Sequence, residues 1–244
     1  MKCICLDLRR ALAGRWFLAA LMASLAALIV SLGDDAYYLL NYWREPGAGD
    51  CPATLPGLLL SAMQGDFGVM TLPALSALPY AAQALLEIRC GAFRPALFRA
   101  GRRSWIAGKA LACLLSGMAL QGAAALCLAL LLHGLMGLCA GRPFPPADMA
   151  PAAALLRRRM LCGGLWASLG CLAALLTDTA SAAYLAPLCL CYAMVMLSTR
   201  FFPQAPLLNP AAWLTGSALP LAAGLALLTA ALLLILHREV ASHV

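Results

Sequence analysis

The sequence predicts an all-α integral membrane protein with six transmembrane helices, an N-terminal interfacial helix and a short basic helix on the cytoplasmic side. Three observations carry that prediction. First, 64% of the 244 residues are hydrophobic, 11% are charged, and the mean hydropathy is +0.87. A soluble domain holds about 45–50% apolar and roughly 25% charged residues. A chain of this length has too much surface for its volume to hide such an excess from water. Lipid removes the conflict. Second, apolar runs close to the ~20 residues that a bilayer requires recur at about 16–32, 67–86, 106–132, 160–176, 182–197 and 219–236. Third, Lys and Arg crowd into alternate connecting segments. The length accommodates residues 1–244 as a single transmembrane domain, with no second globular unit.

Ile4, Leu8, Ala11 and Leu12 recur at helical spacing opposite Lys2, Asp7, Arg9 and Arg10, which predicts an amphipathic helix lying on the membrane surface. The run that follows is long for a cleaved signal peptide and is succeeded by further runs, so we read it as an uncleaved first span. Residues 33–66 are acidic, with Asp34, Asp35, Glu45 and Asp50 against Arg44, and carry Tyr37, Tyr38, Tyr42 and Trp43 as headgroup-level aromatics. Leu55–Met63 is too short to span and reads as an interfacial turn. The second span carries Pro73 and Pro79, which kink it and free carbonyls for neighbouring helices to satisfy. The third exceeds what a bilayer needs, so it tilts or projects. Thr177–Ser181 is a tight polar turn between the fourth and fifth spans.

With the amino terminus inside, Lys2, Arg9, Arg10, Arg15, Arg89, Arg94, Arg99, Arg102, Arg103, Lys109 and Arg238 fall on the cytoplasmic side. Arg44, Arg142, Arg157, Arg158, Arg159 and Arg200 fall outside, and the bias orients both termini inward. The Arg157–Arg159 run is the departure: either it snorkels to the outer headgroups, or the fourth span starts elsewhere. The net charge of +7 would suggest nucleic acid in a soluble protein. Here the basic residues flank apolar runs, where they set topology and meet anionic lipid, so no nucleic-acid partner is expected.

Catalytic chemistry is sparse. His133, His237 and His243 have no i, i+4 partner, and neither H-E-x-x-H nor G-x-S-x-G occurs. No metal site and no catalytic residue is expected. Of 11 cysteines, Cys113, Cys127, Cys162, Cys171, Cys189 and Cys191 sit in apolar runs as small packing residues; Cys51 and Cys139 fall in outer loops and can pair. The stretch Gly101 to Ala110 imitates a phosphate loop but has six residues between its glycines and Ala110 where Ser or Thr should hold Mg²⁺, so no ATP site is expected in this chain. The spans hold few ionisable groups, only a mild polar set of Ser76, Gln83, Ser116, Gln121, Ser168, Tyr192 and Thr229. An apolar path suits amphipathic cargo better than ions.

Leu72–Gly117 is the most informative stretch. A proline-kinked span ends in Glu87, Gly91 breaks it, and a short helix can start with Pro95 at its first position. Phe93, Leu97 and Phe98 offer apolar contacts, while Arg89, Arg94, Arg99, Arg102 and Arg103 stay wet. Gly101 closes the helix, and Trp105 and Lys109 anchor the third span at the interface. The plain reading is a positive-inside loop; the sharper one is a docking surface. Glu87 can serve simply as a headgroup-level acid paired with Arg89.

This elbow resembles that of the permease subunits of ATP-binding cassette type-2 exporters, on Pro79, Glu87, Gly91, Arg94–Arg103, Trp105, Gly108 and Lys109. The N-terminal amphipathic helix, the tight turn before Tyr184, Pro187 and Tyr192, and the segment from Leu207 to Trp213 are similar as well. The resemblance implies a transmembrane permease subunit, not itself an enzyme, that exports an amphipathic or hydrophobic substrate such as a peptide, drug or lipid. It implies that the elbow is a coupling helix, with an ATPase interface at Glu87, Gly91, Phe93, Arg94, Phe98, Arg99, Arg102 and Arg103. It also implies an outer gate or re-entrant segment at Asn209, Pro210 and Trp213. ATP and Mg²⁺ would be bound by a separate cytoplasmic ABC ATPase subunit. A second permease copy, identical or not, would complete the path across the cell membrane. A non-transporting membrane scaffold or immunity protein would show the same spans and remains the alternative.

Overall fold

In lipid a helix satisfies every backbone N–H and C=O within its own segment, which is why the apolar runs of this chain fold as helices. The computed structural model describes residues 2–33, 35, 37, 54–139, 144–205 and 208–242, and these contain helices and turns but no strand. In chain order the helices are α1 (Lys2–Leu12), α2 (Arg15–Ser31), α3 (Leu55–Gln64), α4 (Asp66–Ala77), α5 (Gln83–Arg89), α6 (Phe93–Ala100), α7 (Arg102–Cys139), α8 (Met149–Thr177), α9 (Ala182–Arg200) and α10 (Ala218–Ser242).

Helices α7 to α10 are each long and apolar enough to cross a bilayer. Two further candidates are bent pairs: α1 with α2 at 47°, and α3 with α4 at 73°. The chain therefore carries four to six candidate spans and has the build of a membrane-embedded protein. The run at 67–86 is not one continuous helix. Pro79 has no N–H to give to the Leu75 carbonyl, so Leu78 N–H donates to it instead at 3.2 Å, and the tightened turn ends α4. A turn over 78–82 then leads into α5. Pro73, inside α4, frees the Val69 carbonyl, and the Cys191 thiol of α9 donates to it at 3.4 Å.

Leu55–Met63 is not an interfacial turn. The Thr54 hydroxyl caps α3 by accepting from Gly57 N–H at 3.3 Å, and Leu55, Leu58, Leu59, Ala62 and Met63 are buried, packing the helix against α2, α7 and α8. The helix that carries the apolar run at 160–176 also begins well before residue 160. Helix α8 starts at Met149, with Pro151 in its first turn where a missing N–H costs nothing, so the Arg157–Arg159 run lies within the helix. The Cys51–Cys139 pairing falls outside the described residues.

Helices α7 and α8 make the most extensive packing in the bundle. They cross at Gly117 and Gly163. A Cβ on either glycine would lie 2.4 Å from the carbonyl oxygen of the other. In lipid, where apolar surface gives no drive for association, such close backbone contact supplies the dispersion attraction. Gly134, farther along α7, meets nothing within 4 Å. Gly134→Ala should therefore raise stability by about 0.5–1 kcal/mol, the helix-interior difference between the two residues, read as a higher unfolding midpoint of the purified protein.

Candidate functional site

The basic elbow forms as a local motif. Gly91 has φ +69° and Gly101 φ +78°, backbone conformations that a side chain would strain, and they bracket α6. Pro95 is the third residue of α6, not its first. The substitution of place is harmless, since the first turn of a helix has no intrahelical acceptors to lose. At the tip, Phe98 is 92% exposed, and Arg94, Arg99 and Arg103 are exposed beside it. Phe93 turns inward at 2% exposure and meets the Trp105 ring with centroids 6.1 Å apart.

Two of the elbow's arginines are tied down. Arg89 Nε donates to Asp178 Oδ1 at 3.1 Å, and its Nη2 donates to the Asp178 carbonyl. Asp178 closes α8 in the left-handed region, at φ 50°. The hydrogen bond to Asp178 pushes the Arg89 pKa up from its ordinary value, so the pair stays ionised. Arg102 Nη2 donates to the His237 carbonyl of α10. The Arg89–Asp178 pair is open to solvent, and exposed pairs contribute little. Arg89→Ala is expected to leave the unfolding midpoint unchanged within error in 150 mM salt.

Beneath the elbow lies the feature that sequence reasoning missed. Lys109 is not an interfacial anchor, nor is Trp105: they are 2% and 1% exposed. The Lys109 ammonium donates to Asp7 Oδ1 at 2.8 Å, to Glu87 Oε1 at 2.7 Å and to the Tyr80 hydroxyl at 2.9 Å. Its three donors are thereby all used. The Tyr80 and Trp105 rings flank the charge at 5.5 and 5.7 Å. Glu87 thus pairs with Lys109 and not with Arg89. Asp7 comes from α1, Tyr80 and Glu87 from the broken stretch before the elbow, and Lys109 from α7. One buried cation therefore joins the N-terminal helix, the root of the elbow and the longest helix of the bundle. Asp7 Oδ2 and the Trp105 indole N–H are buried there without a hydrogen-bond partner among the described residues. A cleft of about 810 Å³ opens between α1 and the elbow, bordered by Leu6, Arg10, Glu87, Pro95 and Arg99.

At the opposite end, Asn209 Oδ1 accepts from Ala211 N–H at 3.0 Å and starts the turn that holds Trp213. Gln64 Nε2 donates to the Ala211 carbonyl at 3.0 Å, and Pro210 is buried. Trp213 stacks on Trp166 of α8 with centroids 5.8 Å apart, so it is a packing residue of the bundle. The Arg157–Arg159 run does not snorkel as a unit. Arg157 is exposed, and Arg158 Nη1 donates to the Leu214 carbonyl at 2.6 Å. Arg159 is 7% exposed inside the bundle, where its Nε donates to Gln121 Oε1 at 3.1 Å. The interior is therefore not purely apolar. Nothing in the sequence spacing signalled either cluster, since the side chains that bond to Lys109 and Arg159 lie 22 to 102 residues from them.

Comparison with known proteins gives no match: no family model, no curated protein and no solved structure is similar to this chain.

Proposed function

We propose that this chain is the transmembrane permease subunit of an ATP-driven exporter of the ATP-binding cassette type, working with a separate cytoplasmic ATPase and a second permease copy. In this reading each bent pair counts as one span, giving six, and both termini lie in the cytoplasm of the cell membrane. The observation that carries the reading is the Lys109 cluster. A push on the elbow reaches Glu87, and through Lys109 it reaches α1 and α7 together. That is the linkage a permease needs if ATP hydrolysis in another subunit is to move its helices. The exposed Phe98, with exposed Arg94, Arg99 and Arg103 close to it in sequence, supports the reading by supplying the apolar and charged groups that a docking surface uses. The cargo class is amphipathic or hydrophobic.

The test is affinity capture of the tagged chain from its native membrane, with ATPase activity assayed on the eluate. An ATPase should co-elute with the native chain and be lost from Phe98→Asp/Arg94→Ala, which touches only exposed residues and leaves the cluster intact. Capture of the chain alone, with full folding and no ATPase, would overturn the permease reading in favour of a non-transporting scaffold or immunity protein.

A further inference from the structure

Arg159 presents an electrostatic problem that the described protein atoms do not solve. Its acceptor, Gln121, lies at the middle of the 38-residue α7, deep in the bundle. Gln121 is itself fully engaged: its Nε2 donates to the Leu72 carbonyl at 3.1 Å and to Ser76 Oγ at 2.6 Å. The Val69 carbonyl nearby is taken by Cys191. Arg159 Nη2 is buried and has no hydrogen-bond partner among the described residues. The buried cation Lys109 is paired with Asp7 and Glu87, whereas Arg159 has no carboxylate partner among the described residues. A guanidinium does not shed its proton in a protein. A full positive charge therefore stands desolvated and uncompensated, an arrangement that costs several kcal/mol when left alone.

A cavity of about 20 Å³ opens against that guanidinium, walled by Gln121, Cys162, Pro210 and the Trp166–Trp213 stack. A cavity needs about 10–15 Å³ by this measure to admit one water-sized particle. Water would give Nη2 an acceptor but leave the charge unbalanced, whereas an anion does both. Trp213 also borders a second, apolar cavity of about 320 Å³, with Leu165, Pro220 and Leu221. Room for an apolar tail thus adjoins room for an anionic end.

We propose that the cavity beside Arg159 binds one compact monoanionic group, either a free halide or the carboxylate end of an amphipathic solute. The inference concerns the bundle itself and does not rest on the exporter reading. The full chain in lipid nanodiscs, held at constant ionic strength with gluconate as the counter-ion, is titrated with sodium bromide, sodium acetate or sodium octanoate. Its thermal unfolding midpoint is followed. A ligand that binds only the folded state raises the midpoint with its concentration, and the three apparent affinities identify the occupant. Octanoate binding at least about tenfold tighter than acetate, as added buried methylenes require, marks an amphipathic carboxylate; bromide tighter than both marks a free halide. Arg159→Gln should abolish the response, and Arg159→Lys, which keeps the charge, should retain part of it. Should Arg159→Gln fail to fold, saturable bromide quenching of tryptophan emission, diminished in Trp166→Phe, reports the same site. A midpoint and an emission that respond to none of the three anions, or a folded Arg159→Gln that responds as the native chain does, overturns the proposal.

Discussion

Replacing Lys109 with methionine is expected to destabilise the protein by about 3–5 kcal/mol, the range for removing one partner of a buried ion pair. Methionine matches the length of the lysine stem but carries no charge. Two carboxylates, Asp7 and Glu87, would then face each other where a cation had stood 2.8 and 2.7 Å away. Neither can turn fully to water, since their side chains are 4% and 14% exposed. The Tyr80 hydroxyl would lose its donor as well. Adding Asp7→Asn and Glu87→Gln to Lys109→Met should recover much of the loss, because the uncompensated charges go with it. Lys109→Arg should fall between, since a planar guanidinium cannot aim three donors from one atom. Chemical unfolding of the purified variants measures all three. A Lys109→Met protein as stable as the native one would mean that α1 and the elbow are held by packing alone.

Gly163→Ala is the second large effect, and it comes from a single added methyl. The new Cβ would sit 2.4 Å from the Gly117 carbonyl oxygen and 2.5 Å from Gln121 Cγ. A backbone oxygen cannot rotate away, so α7 and α8 must separate along their most extensive contact. The loss should reach the upper end of the roughly 1–3 kcal/mol seen for overpacked cores, or exceed it. The Gln121–Arg159 hydrogen bond spans this same crossing and should weaken with it. The readout is a lower unfolding midpoint and a broadened size-exclusion peak, set beside Gly134→Ala, which adds the same methyl to the partner helix α7 in open space. Equal behaviour of the two variants would show that the crossing is looser than its geometry implies.

Much of the elbow was legible because its determinants are local. Glycines at 91 and 101 bracket a short helix, and that needs only the conformational freedom of those two residues. Which arginines would stay wet was not legible. Arg89 and Arg102 find acceptors on the α8–α9 turn and on α10, 89 and 135 residues away in sequence. Lys109 looked like an interfacial anchor because it sits at the edge of an apolar run, and edges usually meet headgroups. It is buried because α1 folds back to bring Asp7 over it. Arg159 looked like an outer-leaflet residue because a triplet of arginines is a poor start for a span. The helix simply begins earlier, and its third arginine is carried into the bundle.

The sequence by itself determined the solvent and the all-helical class of the secondary structure. Apolar content at 64% calls for lipid, and lipid leaves helices as the way to satisfy the backbone of these runs. It also marked Pro73 and Pro79 as weak points of the second apolar run, of which Pro79 ends α4 while Pro73 lies inside it. The tertiary structure alone decided which charges are buried and which helices touch through Gly117 and Gly163. The reason is range. Hydropathy and backbone preference act within a turn or two of the chain, whereas a buried cation depends on groups that only packing brings to it.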